Sequence, residues 1–134
     1  MMTASEIEAF LVEHFPAAVS FCKITAIRDD EIDCLVPFRE EFLRPGGTLS
    51  GPTLMTLADT ALYFLLLAKL GPVGLAVTTH LDINFLRKPA AGDVRATGRL
   101  LKLGKQLAVG EVHIKDAEGK LVAQASVTYS LPPR

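Results

Sequence analysis

The chain has 134 residues, 49% of them hydrophobic and 22% charged, a balance that builds one globular core and leaves no room for a second. Its formal net charge of −1 and pI near 6.3 exclude binding to nucleic acid or an anionic membrane through bulk charge. Cys22 and Cys34 are too few for a disulfide scaffold and lack C-x-x-C spacing, so reduced, half-buried thiols in a reducing compartment are expected.

Residues 1–134 read as one domain. Thr3-Ala-Ser-Glu-Ile-Glu opens like a capped helix, with Thr3 or Ser5 accepting from free N–H groups and the early glutamates at the positive end of the dipole. Ile7, Phe10, Leu11 and His14 share a face, and Pro16 ends it. Met1 to Phe15 carries Glu6, Glu8 and Glu13 without Lys or Arg, unlike a secretory signal; a cytoplasmic protein is expected. Val19 to Arg28 and Ile32 to Phe38 read as strands around the acidic turn Asp29-Asp30-Glu31. Pairing about that turn predicts Cys22 opposite Phe38 and Cys34 opposite Ala26, hence not neighbours.

Arg39 to Leu49 reads as loop, broken at Pro45-Gly46-Gly47. Ser50 is a suitable N-cap, Pro52 is tolerated in the first turn, and the helix runs to about Lys69, where Gly71-Pro72 stops it. Strands follow at Val77 to Arg87, Asp93 to Leu103, Gln106 to Ile114 and Lys120 to Tyr129, with hairpin-length connections at Gly104-Lys105 and Asp116 to Gly119. In the first of these strands Val77, Thr79, Leu81, Ile83 and Phe85 fall on one face, with Thr78 and His80 on the other. Apolar parity slips in the third, which predicts a β-bulge at Gly110.

The long helix decides the architecture. Leu54, Met55, Leu57, Ala58, Ala61, Leu62, Tyr63, Phe64, Leu65, Leu66 and Leu67 go nearly all the way round its axis, and such a helix must be wrapped rather than laid on a surface. Its length approaches that of a membrane span, but Asp59, several threonines and the following Gly-Pro favour a buried helix. Antiparallel strands are the wrapping material, so the expected fold is α+β, a curved sheet around one central helix with a short N-terminal helix: the hot-dog arrangement.

Asp59 is the anomaly, an ionisable group mid-helix among leucines. Burying an unpaired carboxylate costs several kcal/mol, so the site must supply partners or water. A structural aspartate bonded to Thr56 or Thr60 and a functional carboxylate are both open on this evidence. Gly51 follows the cap, so its N–H lacks an intrahelical partner and lies at the positive end of the dipole, where an oxyanion donor belongs; a plain helix start is the alternative. Asp59 lies eight residues beyond Gly51, and eight residues of helix span about 12 Å. One carbonyl therefore cannot reach both in a single chain, and joint action requires two chains.

Gly47-Thr-Leu-Ser-Gly-Pro-Thr-Leu-Met-Thr-Leu-Ala-Asp59 resembles the helix signature of hot-dog acyl-coenzyme A thioesterases of the phenylacetate-pathway type. Thr79-His-Leu-Asp-Ile-Asn-Phe-Leu-Arg-Lys-Pro89 with Gly92, Leu101 to Glu111, and Gly119-Lys-Leu-Val-Ala-Gln-Ala resemble the strands that follow. The resemblance implies a catalytic carboxylate at Asp59, acting as nucleophile or as base for water. It also implies an N–H donor to the thioester carbonyl at Gly51, and a hydroxyl at Thr78 near the attacking group. It implies a homodimer or homotetramer acting on acyl-coenzyme A, with no cofactor beyond the coenzyme A of the substrate; His80 and His113 have no ligand-like partners in sequence, so no metal is expected.

Two positions depart from that family. Ser50 stands where it usually has histidine, and Arg44 where it commonly has Asn or Gln. Ser50 still caps the helix but does no imidazole chemistry. Arg44 could pair with a partner chain's Asp59, or meet a negative group on the substrate. Tyr63 and Phe64 are candidates for an apolar acyl pocket. Arg87, Lys88, Lys102 and Lys105, with Arg95 and Arg99 between, are candidates for the coenzyme A phosphates; solvated strand ends are the alternative. A non-catalytic acyl-coenzyme A-binding protein is the second functional reading, and a dehydratase is disfavoured because the helix region supplies no histidine.

Overall fold

The computed structural model describes residues 1–133. Thr3 caps α1 (Ala4–His14) in a reciprocal pair: its hydroxyl accepts from the Glu6 N–H at 3.2 Å, and the Glu6 carboxylate accepts from the Thr3 N–H at 2.9 Å. Ile7 and Leu11, one turn apart, are fully buried. Pro16 ends α1 as expected, but the chain does not pass straight into a strand. It starts α2 (Pro16–Phe21) with the proline at the first position, where a missing N–H breaks no bond. β1 (Lys23–Arg28) therefore begins later than Val19.

β1 pairs with β2 (Glu31–Val36) about a tight turn in which Asp30 takes φ 60°. Arg28 faces Glu31, and a bulge at Thr25 brings Ile24 opposite Cys34. This corrects the expected spacing of the cysteines. The shift makes the buried thiols of Cys22 and Cys34 neighbours, and contact with Cys22 together with burial pushes the Cys34 thiol well above its ordinary range. The next segment, expected as plain loop, holds a 3-10 turn at Glu40–Phe42 and a small hairpin of β3 (Leu43–Arg44) and β4 (Thr48–Leu49). The Ser50 N–H donates to the Phe42 carbonyl at 2.8 Å, which ties the start of the central helix to that hairpin.

The central helix is α3 (Gly51–Leu70). Ser50 caps it, its hydroxyl accepting from the Thr53 N–H at 3.3 Å, and Gly71 at φ 89° ends it. Leu54, Leu57, Leu62, Leu65, Leu66 and Leu67 are each at most 2% exposed, and each such side chain contributes about 1.5–3 kcal/mol by leaving water. By length and composition α3 could cross a membrane, but it is the buried core helix.

β5 (Val77–Phe85), β6 (Val94–Leu103), β7 (Leu107–Lys115) and β8 (Leu121–Ser130) complete an antiparallel six-stranded sheet in the order β1-β2-β6-β7-β8-β5. The inner positions of β6 and β7 carry small residues where the sheet presses on α3. A side chain at Gly98 would stand 3.3 Å from Ile32, and one at Gly110 would run into Leu62. Gly110 is thus a contact glycine and not the expected bulge. The bulge lies on the facing strand at Leu101, between the Leu100–Gly110 and Lys102–Val109 pairs. β7 alternates without a break, with Ala108, Gly110, Val112 and Ile114 turned inward, and its parity slip reflects Leu107 and Val109 on the outer face.

β5 is an edge strand with β8 as its one partner in this chain. A bulge at Thr79 sets Thr78 opposite Tyr129 and Leu81 opposite Val127. Tyr129 and Val127 point inward and are buried, so their partners Thr78 and Leu81 share the inward face. The expected alternation, which put Thr78 on the other face, fails at that one residue, and bulges re-aim side chains in this way.

Candidate active site

The bulge turns Thr78 towards the middle of α3, and Asp59 is what it meets. The Thr78 hydroxyl donates to Asp59 Oδ1 at 2.6 Å, and the Tyr129 hydroxyl donates to the same oxygen at 2.8 Å. Tyr129 also lies 3.1 Å from the Asp59 carbonyl. The hydroxyl partners of this half-buried carboxylate are therefore on the sheet, not at Thr56 or Thr60; Thr56 bonds the Pro52 carbonyl at 3.0 Å instead. Burial, and then the Asp59 charge, push the Tyr129 phenol above its ordinary range, so it remains a donor. Both donors fall on Oδ1, and Asp59 borders a cavity.

That cavity has a volume of about 310 Å³ and is bounded by Phe15, Thr60, Tyr63, Ala76, Val77 and Tyr129 around Asp59. Tyr63 stacks on Tyr129 with ring centres 6.1 Å apart and planes 20° from parallel, and its hydroxyl donates to the Gly74 carbonyl at 3.3 Å. Tyr63 is thus in the wall of the cavity. Phe64, the next residue round the helix, is 1% exposed in the core and does not line it. Tyr129 is the site residue that sequence reasoning missed. Its signal was faint, an inward-parity tyrosine at the end of the last strand, whose hydroxyl needs a partner once buried.

The other candidates gather elsewhere. Gly51 opens α3 beneath the Phe85 ring, whose nearest atom lies 3.3 Å from where a side chain would begin. It lines a cleft of about 720 Å³ together with Arg44, Pro52, Phe85, Arg87 and Lys88. Ser50 is occupied as a cap, its hydroxyl 2.8 Å from that of Thr53. The Arg44 side chain has no carboxylate partner among the described residues. No residue borders both this cleft and the Asp59 cavity, as the 12 Å rise between Gly51 and Asp59, about two turns of helix, requires.

The basic side chains do not form one cluster within a chain. Arg87 and Lys88 follow the end of β5, where Phe85 pairs with Ala123 near the start of β8. Lys102 and Lys105 lie near the end of β8, where Leu107 pairs with Ser130. A strand's length separates the two pairs. Arg99 is held by Glu31 at 3.1 Å, and Lys105 borders a different hollow with Gln106 and Leu131.

The loop that carries Arg87 and Lys88 is anchored by Asp116. This carboxylate, 4% exposed, accepts from the Ala90 N–H at 3.0 Å, the Glu118 N–H at 3.0 Å and the Lys120 N–H at 3.1 Å. Burial disfavours its charge, but the Ala90, Lys120 and Glu118 N–H groups outweigh burial and hold the carboxyl below the usual range. Among the described residues, no three His, Cys, Asp or Glu side chains are placed to hold a metal ion.

A sequence profile of the thioesterase superfamily matches residues 46–123, the stretch from the β3–β4 hairpin into β8 that holds Gly51, Asp59 and Thr78. The chain belongs to the thioesterase superfamily. Its fold is the hot-dog fold, and its structural neighbours include thioesterases of the phenylacetic acid degradation type. A thioesterase by name from Silicibacter sp. TM1040 superposes with a TM-score of 0.88 at 39% identity, covering 99% of this chain and 94% of that one. The PaaI protein of the Escherichia coli phenylacetic acid degradation operon shares the fold at a TM-score of 0.81 and 22% identity, over 97% of this chain and 96% of that one. An esterase by name from Thermoplasma volcanium is 32% identical over 105 residues, 78% of each chain. One from Saccharolobus solfataricus is 37% identical over 90 residues, 67% of this chain; the chain spans 64% of that relative's length.

Proposed function

We propose that the protein hydrolyses an acyl-coenzyme A thioester, at a site shared between two copies of the chain. The observation that carries this reading is the Asp59 carboxylate, pinned through one oxygen by Thr78 and Tyr129 at the wall of an apolar cavity. The superfamily membership supports thioester hydrolysis in general. In the proposed reaction the Gly51 N–H of one chain polarises the acyl carbonyl. Asp59 of the other chain delivers its free oxygen to the carbonyl carbon, or takes a proton from a water that attacks it. In either case the tetrahedral intermediate collapses with cleavage of the carbon–sulfur bond and loss of the coenzyme A thiolate. Where Asp59 attacks, an acyl–Asp59 anhydride remains, and water hydrolyses it to the free acid and the regenerated carboxylate. Where water attacks, the free acid forms directly, and the proton taken by Asp59 passes to the thiolate. A prepaid donor at a helix N-terminus is worth most where negative charge develops, on the carbonyl oxygen.

The shared site is supported by geometry of a single chain. Gly51 and Asp59 serve separate cavities, and β5 leaves one edge of the sheet unpaired, with Val77 and Phe85 half exposed along it. An unpaired edge is a template for a second chain, and C2 pairing brings each Gly51 cleft into relation with the other chain's Asp59. In this reading Arg44, Arg87 and Lys88 face the nucleotide phosphates of the substrate. A second reading, acyl-coenzyme A binding without hydrolysis, is motivated by Ser50 and Arg44 at positions where the family has histidine and an amide.

Coenzyme A release from short, medium, long and aromatic acyl-coenzyme A, measured for wild type and Asp59→Asn in parallel, tests the proposal. Turnover that is lost in the variant supports hydrolysis through Asp59. Binding without turnover in wild type favours the second reading, and undiminished turnover in Asp59→Asn removes Asp59 from the chemistry.

A further inference from the structure

A second cavity adjoins the Asp59 cavity. It has a volume of about 450 Å³ and lies between α1 and the Pro72–Leu75 segment, bordered by Phe10, His14, Val73, Leu75 and Pro132. Phe15, Tyr63 and Gly74 border both cavities, so the two meet at these three residues. The lining beyond them is aromatic and aliphatic apart from His14, whose side chain is 54% exposed at the rim. The Phe10 and His14 rings lie tilted at 36° with centres 4.6 Å apart.

Gly74 leaves space where the two cavities meet. A side chain there would begin 2.9 Å from Phe10 Cζ and 3.7 Å from the Tyr63 hydroxyl. Its φ is unremarkable for an L-residue, so the backbone does not require glycine; the space does. The carbonyl of the same residue holds the Tyr63 hydroxyl at 3.3 Å, which keeps the phenol at the edge of that space.

We infer that the outer cavity is a tail subsite for a medium-chain or longer acyl group, and that Gly74 sets the acyl length the enzyme takes. The inference rests on the proposed hydrolysis at Asp59. A thioester carbonyl beside Asp59 leaves an acyl chain in the inner cavity, and a chain that outgrows it has one apolar continuation, past Tyr63 and Gly74 towards Phe10. Burial of methylenes beyond Tyr63 and Gly74 then favours octanoyl and dodecanoyl over acetyl and butyryl thioesters, each buried methylene adding about 0.8 kcal/mol, or nearly fourfold in affinity.

The test is chain-length selectivity, the ratio of kcat/KM for octanoyl-coenzyme A to that for butyryl-coenzyme A. Gly74→Val is expected to lower the ratio by about fifteenfold, the worth of roughly two buried methylenes. Phe10→Ala, which enlarges the outer cavity, is expected to move the preferred length towards dodecanoyl. A wild-type ratio near one, or a ratio that Gly74→Val leaves unmoved, overturns the subsite while leaving hydrolysis at Asp59 standing. Calorimetry keeps the two readings apart. Tighter binding of octanoyl- than butyryl-coenzyme A, weakened by Gly74→Val, supports the subsite even without turnover, and equal binding of the two thioesters overturns it.

Discussion

Thr78 and Tyr129 are partners across the β5–β8 ladder, and their hydroxyls converge on one oxygen of Asp59, at 2.6 and 2.8 Å. Two donors on Oδ1 restrain the carboxylate and leave its other oxygen outside these bonds. The pair exists because of the bulge at Thr79, which brings Thr78 to the inward face that Tyr129 already occupies. Hydrogen bonds to a charged group contribute about 1.5–3 kcal/mol. Tyr129→Phe and Thr78→Val should each lower kcat by about ten- to a hundredfold if that energy is spent on orienting the attacking oxygen. Steady-state kinetics with an unchanged fold by circular dichroism checks this, and a kcat within twofold of wild type for both variants would falsify the orienting role.

The shared site predicts complementation between inactive chains. Gly51→Pro removes the N–H at a helix position that accepts proline, and Ser50 at ψ 149° is already in the extended conformation a following proline prefers. Loss of one such donor should cost about 10²–10³ in kcat. Mixing Gly51→Pro with Asp59→Asn after subunit exchange should restore about a quarter of wild-type activity, because half of the dimers are mixed and each holds one intact site. Activity that stays at the level of the separate variants would overturn the shared site.

Alkaline stability should report the burial of Tyr129. The phenol is raised in the folded protein by burial and the Asp59 charge, so the unfolded chain loses this proton first. The contribution is fully present below the unfolded tyrosine value of about 10 and is lost as pH rises above it. Lys69, raised by Asp30 and Asp29, acts with the same sign. Denaturant midpoints from pH 8 to 11 should fall in wild type and fall less steeply in Tyr129→Phe; parallel curves would contradict this.

Asp116 gives the opposite slope. Its carboxyl is held low by three N–H donors despite burial, so its contribution is present above the unfolded aspartate value and lost as pH falls through the folded one. Asp116→Asn replaces an acceptor oxygen by an amide that cannot accept from every donor, and should destabilise by about 1–3 kcal/mol. Because Ala90 follows Arg87 and Lys88 in the anchored loop, the variant should also raise KM for acyl-coenzyme A more than it lowers kcat.

Gly110→Ala tests the contact between sheet and helix. The added carbon would run into Leu62 and stand 2.9 Å from the Arg99 carbonyl, a backbone atom that cannot swing aside. Overpacking of this kind costs about 1–3 kcal/mol, and thermal unfolding should show a Tm several degrees lower. An unchanged Tm would mean that the sheet stands further from α3 than these contacts indicate.

Much of the fold was legible along the chain. The leucines that circle α3, the Thr3 and Ser50 caps, the Gly71 stop and the hairpin turns at Gly104 and Asp116 are local signals, and the elements they mark lie within a few residues of where they put them; α2 and the β3–β4 hairpin were not among these. The wrapped helix implied the curved sheet because no other apolar surface could cover it. Asp59 and Gly51 stood out because charge in an apolar run and glycine at a helix start break local pattern, and their separation along one axis, hence in two cavities, followed from helical rise alone.

What tertiary structure decided are the relations that local pattern does not encode. Strand register depends on single extra residues: the bulges at Thr25, Thr79 and Leu101 made neighbours of Cys22 and Cys34, turned Thr78 inward and moved the irregularity off Gly110. Period-two patterning fixes faces only between bulges, so one slip re-sorts every side chain beyond it. Tyr129 joined Asp59 across 70 residues of sequence, Phe64 went to the core while Tyr63 went to the cavity, and the basic residues parted to opposite ends of β8. Each of these outcomes was set by which strand lies beside which, a long-range choice made when the sheet closed round α3.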